Sequence, residues 1–157
     1  MRIRIAIAIL LIMTIPLAAQ RRSRDVEHVT FIHEIADKEY VTFGDAVRFF
    51  VLILGKEQES LFWKNVDILK AAGITRGLDY QENTTARKGM IAALIADYLK
   101  LGDSLFYLIF RTERYAFRAC IAHGIMDYDA SEWDRISGGE LIEIMSKVSE
   151  RASGGKE

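Results

Sequence analysis

The stretch from Thr84 to Tyr98 reads TTARKGMIAALIADY, and it decides which fold we expect for the chain. Threonine hydroxyls, which can cap a helix N-terminus, come first, and Gly102 supplies the left-handed residue that commonly ends a helix. Between them the apolar side chains recur at the spacing of one helical face: Ile91, Leu94, Ile95 and Tyr98. This segment is therefore predicted to be an amphipathic helix.

Other segments of the chain repeat this order of cap, apolar face and glycine. Their boundaries are marked by these residues: Thr42 and Gly55, Ser60 and Gly73, Thr112 and Gly124, and Ser137. The single proline, Pro16, lies near the N-terminus and interrupts none of them. Residues 25–40 fit a helix or a strand, and we favour a helix. The sequence therefore predicts an all-α fold, a small bundle of five to six helices.

A weak internal repeat organises these helices. The Gly-Ile pairs at 73–74 and 124–125 are 51 residues apart. At the same offset, apolar residues pair as Val66 with Phe117, Leu69 with Cys120, Met90 with Leu141, Ile91 with Ile142 and Leu94 with Met145. The pattern predicts tandem helix-loop-helix repeats, with 42–55 as half of an earlier copy. Amphipathic hairpins that end in glycine would also align in this way, so this alternative stays open.

The composition describes an exported chain of one domain. Half of the 157 residues are apolar and 27% are charged, and the net charge of −1 provides no basic surface for nucleic acid. Arg2 and Arg4, an apolar run at 5–17 and small residues at 18–19 predict a signal peptide at 1–19. Because that run is too short to span a bilayer, we expect no stable transmembrane anchor. The expected localisation is therefore periplasmic or cell-surface.

Behind the predicted signal peptide the chain divides into three parts. Residues 20–41 form an N-terminal lead segment, and the repeated helices occupy 42–150. Residues 151–157 contain two glycines and mostly polar residues, and we expect this tail to be disordered.

Residues suited to catalysis or metal binding form no recognisable constellation. Cys120 is the only cysteine, so an intrachain disulfide is excluded, and its apolar neighbours predict a buried thiol. His28 and His33 are five residues apart and do not share a helical face. The acidic loop 127–134 alternates oxygen ligands as a calcium loop does, but Glu132 replaces the turn glycine. We therefore expect no metal, no cofactor and no catalytic activity.

The residues that carry the repeat resemble a known family. Thr85–Leu94 reads TARKGMIAAL and follows an apolar helix, the Gly-Ile pair at 73–74 and a polar loop. This arrangement resembles the S-layer homology module, in about two and a half degenerate repeats over residues 42–148. The resemblance implies three helix-loop-helix repeats packed as a pseudo-threefold bundle. It also implies that the grooves between repeats bind cell-wall polysaccharide, often a pyruvylated one.

The family's Thr-Arg-Ala-Glu-like tetrad suggests where a ligand would bind. The middle copy keeps a hydroxyl and a shifted arginine, but Gly89 stands where the acid is expected. The other two copies keep a hydroxyl and an acid, which would also serve to cap a helix. A tryptophan in the acidic loop can stack on a sugar or a partner protein, or fold back as a lid on the helix ends. The candidate ligand-binding residues are Arg87, Thr85, Trp133, Glu140 and Asp45.

The sequence therefore predicts an exported cell-envelope protein that binds or scaffolds without catalysis. Its expected partner is a cell-wall polysaccharide or another envelope protein. A homo-oligomer is left open, since a second copy could supply the missing half-repeat. The alternative is a small-molecule-binding or enzymatic helical protein of the periplasm, with a pocket in the bundle core.

Overall fold

The computed structural model describes residues 28–101 and 112–154 of the chain. Within these ranges it contains six helices and no strand, which confirms the all-α prediction. No helix in the same ranges is long and apolar enough to cross a membrane. The helices are α1 at 28–36, α2 at Phe43–Ile53, α3 at Phe62–Ala71, α4 at Lys88–Tyr98, α5 at Glu113–Ala122 and α6 at Gly138–Gly154.

The chain divides into two compact units, residues 1–34 and 35–157. In the first unit only 28–34 is described, and it is helical, as we favoured for this part of the lead segment. The predicted signal peptide at 1–19 lies outside the described residues. All contacts discussed below belong to the second unit.

The C-terminal tail differs from the prediction. The last helix continues to Gly154, so residues 151–154 are helical and the expected disorder at 151–157 is wrong for them. Contacts of the last turn explain the extension: the Arg151 guanidinium donates to the backbone carbonyl of His123, and Ser153 Oγ donates to the Ser149 carbonyl at 2.9 Å. Residues 155–157 lie outside the described part.

Three backbone hydrogen bonds close a ring at the centre of the fold. Val41 donates to Ile136 (N–O 3.0 Å), Ile136 donates to Ala86 (3.3 Å), and Ala86 donates back to Val41 (2.9 Å). All three side chains are fully buried. Each of these residues lies two positions before the first residue of α2, α4 or α6. The ring therefore gathers three helix N-termini around a pseudo-threefold axis.

The ring also corrects the register of the internal repeat. The offset of 51 is right for the first half of each unit, because Ile74 donates to Leu69 as Ile125 donates to Cys120. After the loops the ring pairs Ala86 with Ile136, which is an offset of 50. The second loop is thus one residue shorter than the first. The pairs are therefore Met90 with Glu140, Ile91 with Leu141 and Leu94 with Ile144, and not those predicted at the offset of 51.

The core forms around α4 and α2. Every residue from Gly89 to Ala96 is buried, and α4 packs against α5. The second helix packs against α3 and α6. Phe43 lies at the start of α2 with its ring edge-on to Phe62 (6.2 Å between centroids) and Tyr80 (5.4 Å). These apolar contacts are the main source of stability, since no disulfide is available.

The first glycine of α6 is required by the close approach of another backbone segment. Gly138 donates its N–H to the Lys38 carbonyl at 2.9 Å. A Cβ at Gly138 would overlap the carbonyl oxygen of Ile35 and lie 2.6 Å from its carbonyl carbon. The adjacent Gly139 has no atom within 4 Å of its hypothetical Cβ. The two neighbouring glycines therefore form a matched pair for mutation.

We expect Gly138→Ala to lower the free energy of unfolding by about 3 kcal/mol or more, because a backbone segment must move. Gly139→Ala should leave it unchanged or raise it by up to about 1 kcal/mol, since alanine favours the helix. Urea unfolding followed by circular dichroism measures both values. Equal stability of the two variants would contradict the close approach at Gly138.

Burial of the Cys120 thiol predicts a pH dependence of stability. The thiol is fully buried, as the sequence predicted, and burial raises its pKa from 9.0 to about 12. The unfolded chain therefore releases this proton at a lower pH than the folded chain does. The stabilisation is complete below pH 9.0 and is lost as the pH rises towards 12, with a slope of about 1.4 kcal/mol per pH unit.

Urea unfolding of the wild type and Cys120→Ala between pH 8 and pH 11 tests this dependence. Other groups titrate in both proteins, so the difference between the two curves isolates the thiol. We expect the wild type to lose stability relative to the variant above about pH 9. Parallel curves would show that the thiol titrates equally in the folded and unfolded chains.

Candidate functional site

A cluster of four side chains forms where α4 meets the loop before α6. The backbone of Lys88 donates to the Asp134 carbonyl, and that of Gly89 donates to the Glu132 carbonyl, both at 2.9 Å. These bonds bring Trp133 over the N-cap residue of α4, Arg87. Tyr80 and Glu113 complete the group, and we call these four residues, Tyr80, Arg87, Glu113 and Trp133, the Trp133 cluster.

The guanidinium of Arg87 supports the exposed tryptophan ring. Its Cζ lies 4.6 Å from the ring centroid of Trp133, in a cation–π contact. Arg87 occupies the N-cap position but makes no capping hydrogen bond with its side chain. Trp133 lies over this helix end and is still 65% exposed, so most of its surface is accessible to solvent. The cluster therefore presents an aromatic ring whose position is fixed by a charged group.

Tyr80 and Glu113 form the inner part of the cluster. The Tyr80 hydroxyl donates to Glu113 Oε1. Burial raises the pKa of Tyr80, and the hydrogen bond and negative charge of Glu113 raise it further, whereas the positive charge of Arg87 lowers it. The phenol is therefore a hydrogen-bonded link between the carboxylate and the guanidinium.

Glu113 stands beside the first turn of α4, which has no acid of its own. Its Oε2 lies 3.1 Å from the position that a Cβ on Gly89 would occupy. A larger residue at 89 would also press on the Glu132 carbonyl, at 3.0 Å. Because the N-terminus of a helix favours negative charge, this carboxylate from α5 stabilises the start of α4.

Two predicted site residues, Asp45 and Glu140, lie in the first turns of their helices and each pairs with a lysine from another segment. Asp45 is 6% exposed and accepts from the Thr42 backbone at 2.8 Å in a capping box. It also pairs with Lys38 Nζ at 2.7 Å. Glu140 pairs with Lys88 Nζ at 2.6 Å, beside a cavity of about 10 Å³ that has room for one water molecule. These acids act on the helix ends, and neither belongs to the Trp133 cluster.

Thr85 and a second tryptophan are both exposed outside the cluster. Thr85 lies two residues before Arg87 and forms an isolated backbone bridge with Thr42. Trp63 is 57% exposed at the start of α3. Of the five predicted site residues, the structure therefore brings only Arg87 and Trp133 into contact.

Carboxylates flank the exposed ring in the sequence of its loop. Glu132 Oε1 lies 3.9 Å from Arg114 Nε, and Asp134 Oδ2 accepts from the Ser131 backbone at 2.8 Å. Tyr128 in the same loop is 88% exposed. No group of three or more His, Cys, Asp or Glu side chains suited to a metal occurs in the part of the chain that the structure describes. Exposed aromatic rings beside carboxylates can stack on a sugar ring and accept hydrogen bonds from its hydroxyls.

The opposite effects of Glu113 and Arg87 on Tyr80 predict shifts of opposite sign. Glu113→Gln removes a negative charge and should lower the pKa of Tyr80 towards 10.0, while Arg87→Met removes a positive charge and should raise it further. Titration by NMR of protein labelled with ¹³C at tyrosine Cζ measures both shifts, with the Tyr80→Phe variant to assign the signal. Shifts in the same direction would contradict this arrangement of charges.

Comparison with known proteins adds no relative to this description. No family model matches the chain, and neither a curated protein nor a solved structure matches it. The site is therefore defined by the geometry of its own residues.

Proposed function

We propose that this chain is an exported, non-catalytic protein of the cell envelope that binds a cell-wall polysaccharide through the Trp133 cluster. One observation carries the proposal. A 65% exposed tryptophan is held against an arginine at the junction between two helix-loop-helix units. An ordered aromatic ring at the surface has an apolar face available for a sugar ring, at little cost in side-chain entropy.

The pseudo-threefold ring supports the resemblance to the S-layer homology module. That family packs three helix-loop-helix repeats around a central axis, with ligand grooves between repeats. Here Val41, Ala86 and Ile136 relate three helix starts around such an axis. The Trp133 cluster lies at one of the junctions that this arrangement creates.

Export is supported by the sequence alone. Two arginines precede an apolar run at 5–17, and small residues follow it at 18–19. An exported protein with a single, buried cysteine depends on core packing for its stability. Periplasmic or cell-surface localisation would bring the Trp133 cluster within reach of the wall.

A second candidate function is scaffolding through contact with another envelope protein. The start of α3 exposes Leu61 (48%) and Trp63 (57%), two large apolar side chains two residues apart in the sequence. An open apolar groove between the ends of α2 and α3 is lined by Leu54, Ile68 and Ala71. Such a surface suits a protein partner more than a sugar.

The two candidates predict different effects of the two tryptophans. In a sedimentation assay with purified cell-wall sacculi at low salt, we expect the wild type to pellet. Trp133→Ala should weaken binding about tenfold or more, which corresponds to about 1.4 kcal/mol, because the stacking face is removed. Arg87→Ala should weaken it as well, since the ring loses its support.

Trp63→Ala is the matched control, because it removes a tryptophan of similar exposure from another surface. It should leave pelleting unchanged. Equal loss in both tryptophan variants, or no pelleting of the wild type, would contradict the proposed site. Retention of an envelope protein by the wild type and Trp133→Ala but not by Trp63→Ala would favour the scaffolding function.

A further inference from the structure

We infer that the Trp133 cluster selects a polysaccharide segment without acidic groups, with Glu113 as the residue that excludes anions. The inference rests on the proposed function, because it names the chemical class of ligand for the same site. It differs from the pyruvylated ligand that the family resemblance implies. Three features of the cluster carry it.

The first feature is the place of Glu113 at the N-terminus of α4. The first turn of a helix is the position where a bound anion would be stabilised by the backbone N–H groups and the helix dipole. Here the Glu113 carboxylate lies against Gly89: its Oε2 is 3.1 Å from the position that a Cβ on residue 89 would occupy. The backbone of Gly89 itself donates to the Glu132 carbonyl. The Glu113 carboxylate and the Glu132 carbonyl thus already interact with the first turn of α4, where a ligand carboxylate or phosphate would otherwise bind.

The second feature is the engagement of the arginine. The Arg87 guanidinium lies over the Trp133 ring and interacts with the Tyr80 hydroxyl, which donates to Glu113. The positive charge of Arg87 is therefore balanced within the cluster by the Glu113 carboxylate, which Tyr80 connects to Arg87. An anionic ligand would have to compete with Glu113 for this charge, whereas a neutral sugar would leave the balance unchanged.

The third feature is the charge of the loop that carries the tryptophan. Glu132 and Asp134 flank Trp133 in the sequence, and Asp127 and Asp129 precede them in the same loop. The arginines near the ring are paired: Arg114 approaches Glu132, and Arg135 lies over the Tyr40 ring, 5.3 Å from its centroid. The excess of negative charge in this loop would repel an acidic polymer, while carboxylates accept hydrogen bonds from sugar hydroxyls.

A matched pair of sacculus preparations tests the inference. One portion is left untreated, and in the other the carboxylates are converted to neutral N-methyl amides with carbodiimide and methylamine. We expect the wild type to pellet with the amidated sacculi at least as well as with the untreated ones, within a factor of two. A tenfold or greater loss of binding on amidation would overturn the inference and leave the proposed function standing. Pelleting with neither preparation would instead contradict the proposed function, and the inference with it.

Glu113→Gln tests the residue to which we assign the selectivity. The amide oxygen can still accept the hydrogen bond from Tyr80. Because the negative charge of Glu113 is gone, an anion can now interact with Arg87 and with the first turn of α4. We expect this variant to bind untreated sacculi at least threefold more tightly than amidated ones. The same ratio as the wild type would overturn the role of Glu113.

Two controls separate selectivity from general effects. Glu150→Gln removes one negative charge from an exposed position on α6 and should keep the wild-type ratio. A shift of the ratio in this variant as large as that in Glu113→Gln would overturn the assignment, since net charge alone would then explain it. Circular dichroism should give the same helical signal for all variants. The double variant Glu113→Gln with Trp133→Ala should no longer bind untreated sacculi more tightly than amidated ones.

Discussion

The ring of backbone hydrogen bonds through Val41, Ala86 and Ile136 is the constraint on which the rest of this structure depends. Buried backbone groups must find partners, and here each partner belongs to a different helix-loop-helix unit. The ring holds three helix N-termini so close that side chains at their first turns would collide with neighbouring segments. Glycines therefore stand at the closest approaches, where a Cβ would meet Glu82 at Gly44, Glu132 at Gly89 and Ile35 at Gly138.

The same crowding explains why the three helix starts obtain their negative charge in different ways. The start of α2 uses its own Asp45 in a capping box, and α6 carries Glu140, which also neutralises Lys88 on α4. Helix α4 has a glycine close to a neighbouring carbonyl and no acid in its first turn, and Glu113 comes from α5 instead. Glu113 also accepts a hydrogen bond from Tyr80 and so belongs to the candidate site, whereas Asp45 is engaged in the capping box of its own helix. The carboxylate of Glu113 thus compensates for the absence of an acid in the first turn of α4 and adds negative charge to the candidate site.

Local features of the sequence were sufficient for the helices and most of their ends. Caps, glycine stops and apolar periodicity act within about four residues, so the ends of α2 and the start of α6 could be predicted from neighbouring residues alone. The buried thiol of Cys120 followed in the same way from its apolar neighbours. The predicted ends of α4 are wrong: Arg87, and not a threonine, is its N-cap residue, and Lys100 rather than a glycine adopts the left-handed conformation after the helix. A further prediction that failed concerns the C-terminal tail, where residues 151–154 are helical. This extension depends on a contact between distant segments, Arg151 with His123, that local periodicity does not describe.

The sequence by itself determined an all-helical chain with glycine-ended helices, because these properties arise from hydrogen bonds and packing along one segment. Only the tertiary structure decided that Arg87 meets Trp133 and that Tyr80 bonds to Glu113, which lies 33 residues further along the chain. These contacts depend on the register between units, and one loop that is shorter by a single residue changes that register from 51 to 50. A difference of one residue is invisible in the pattern of apolar positions, yet it decides which charged group reaches which helix end.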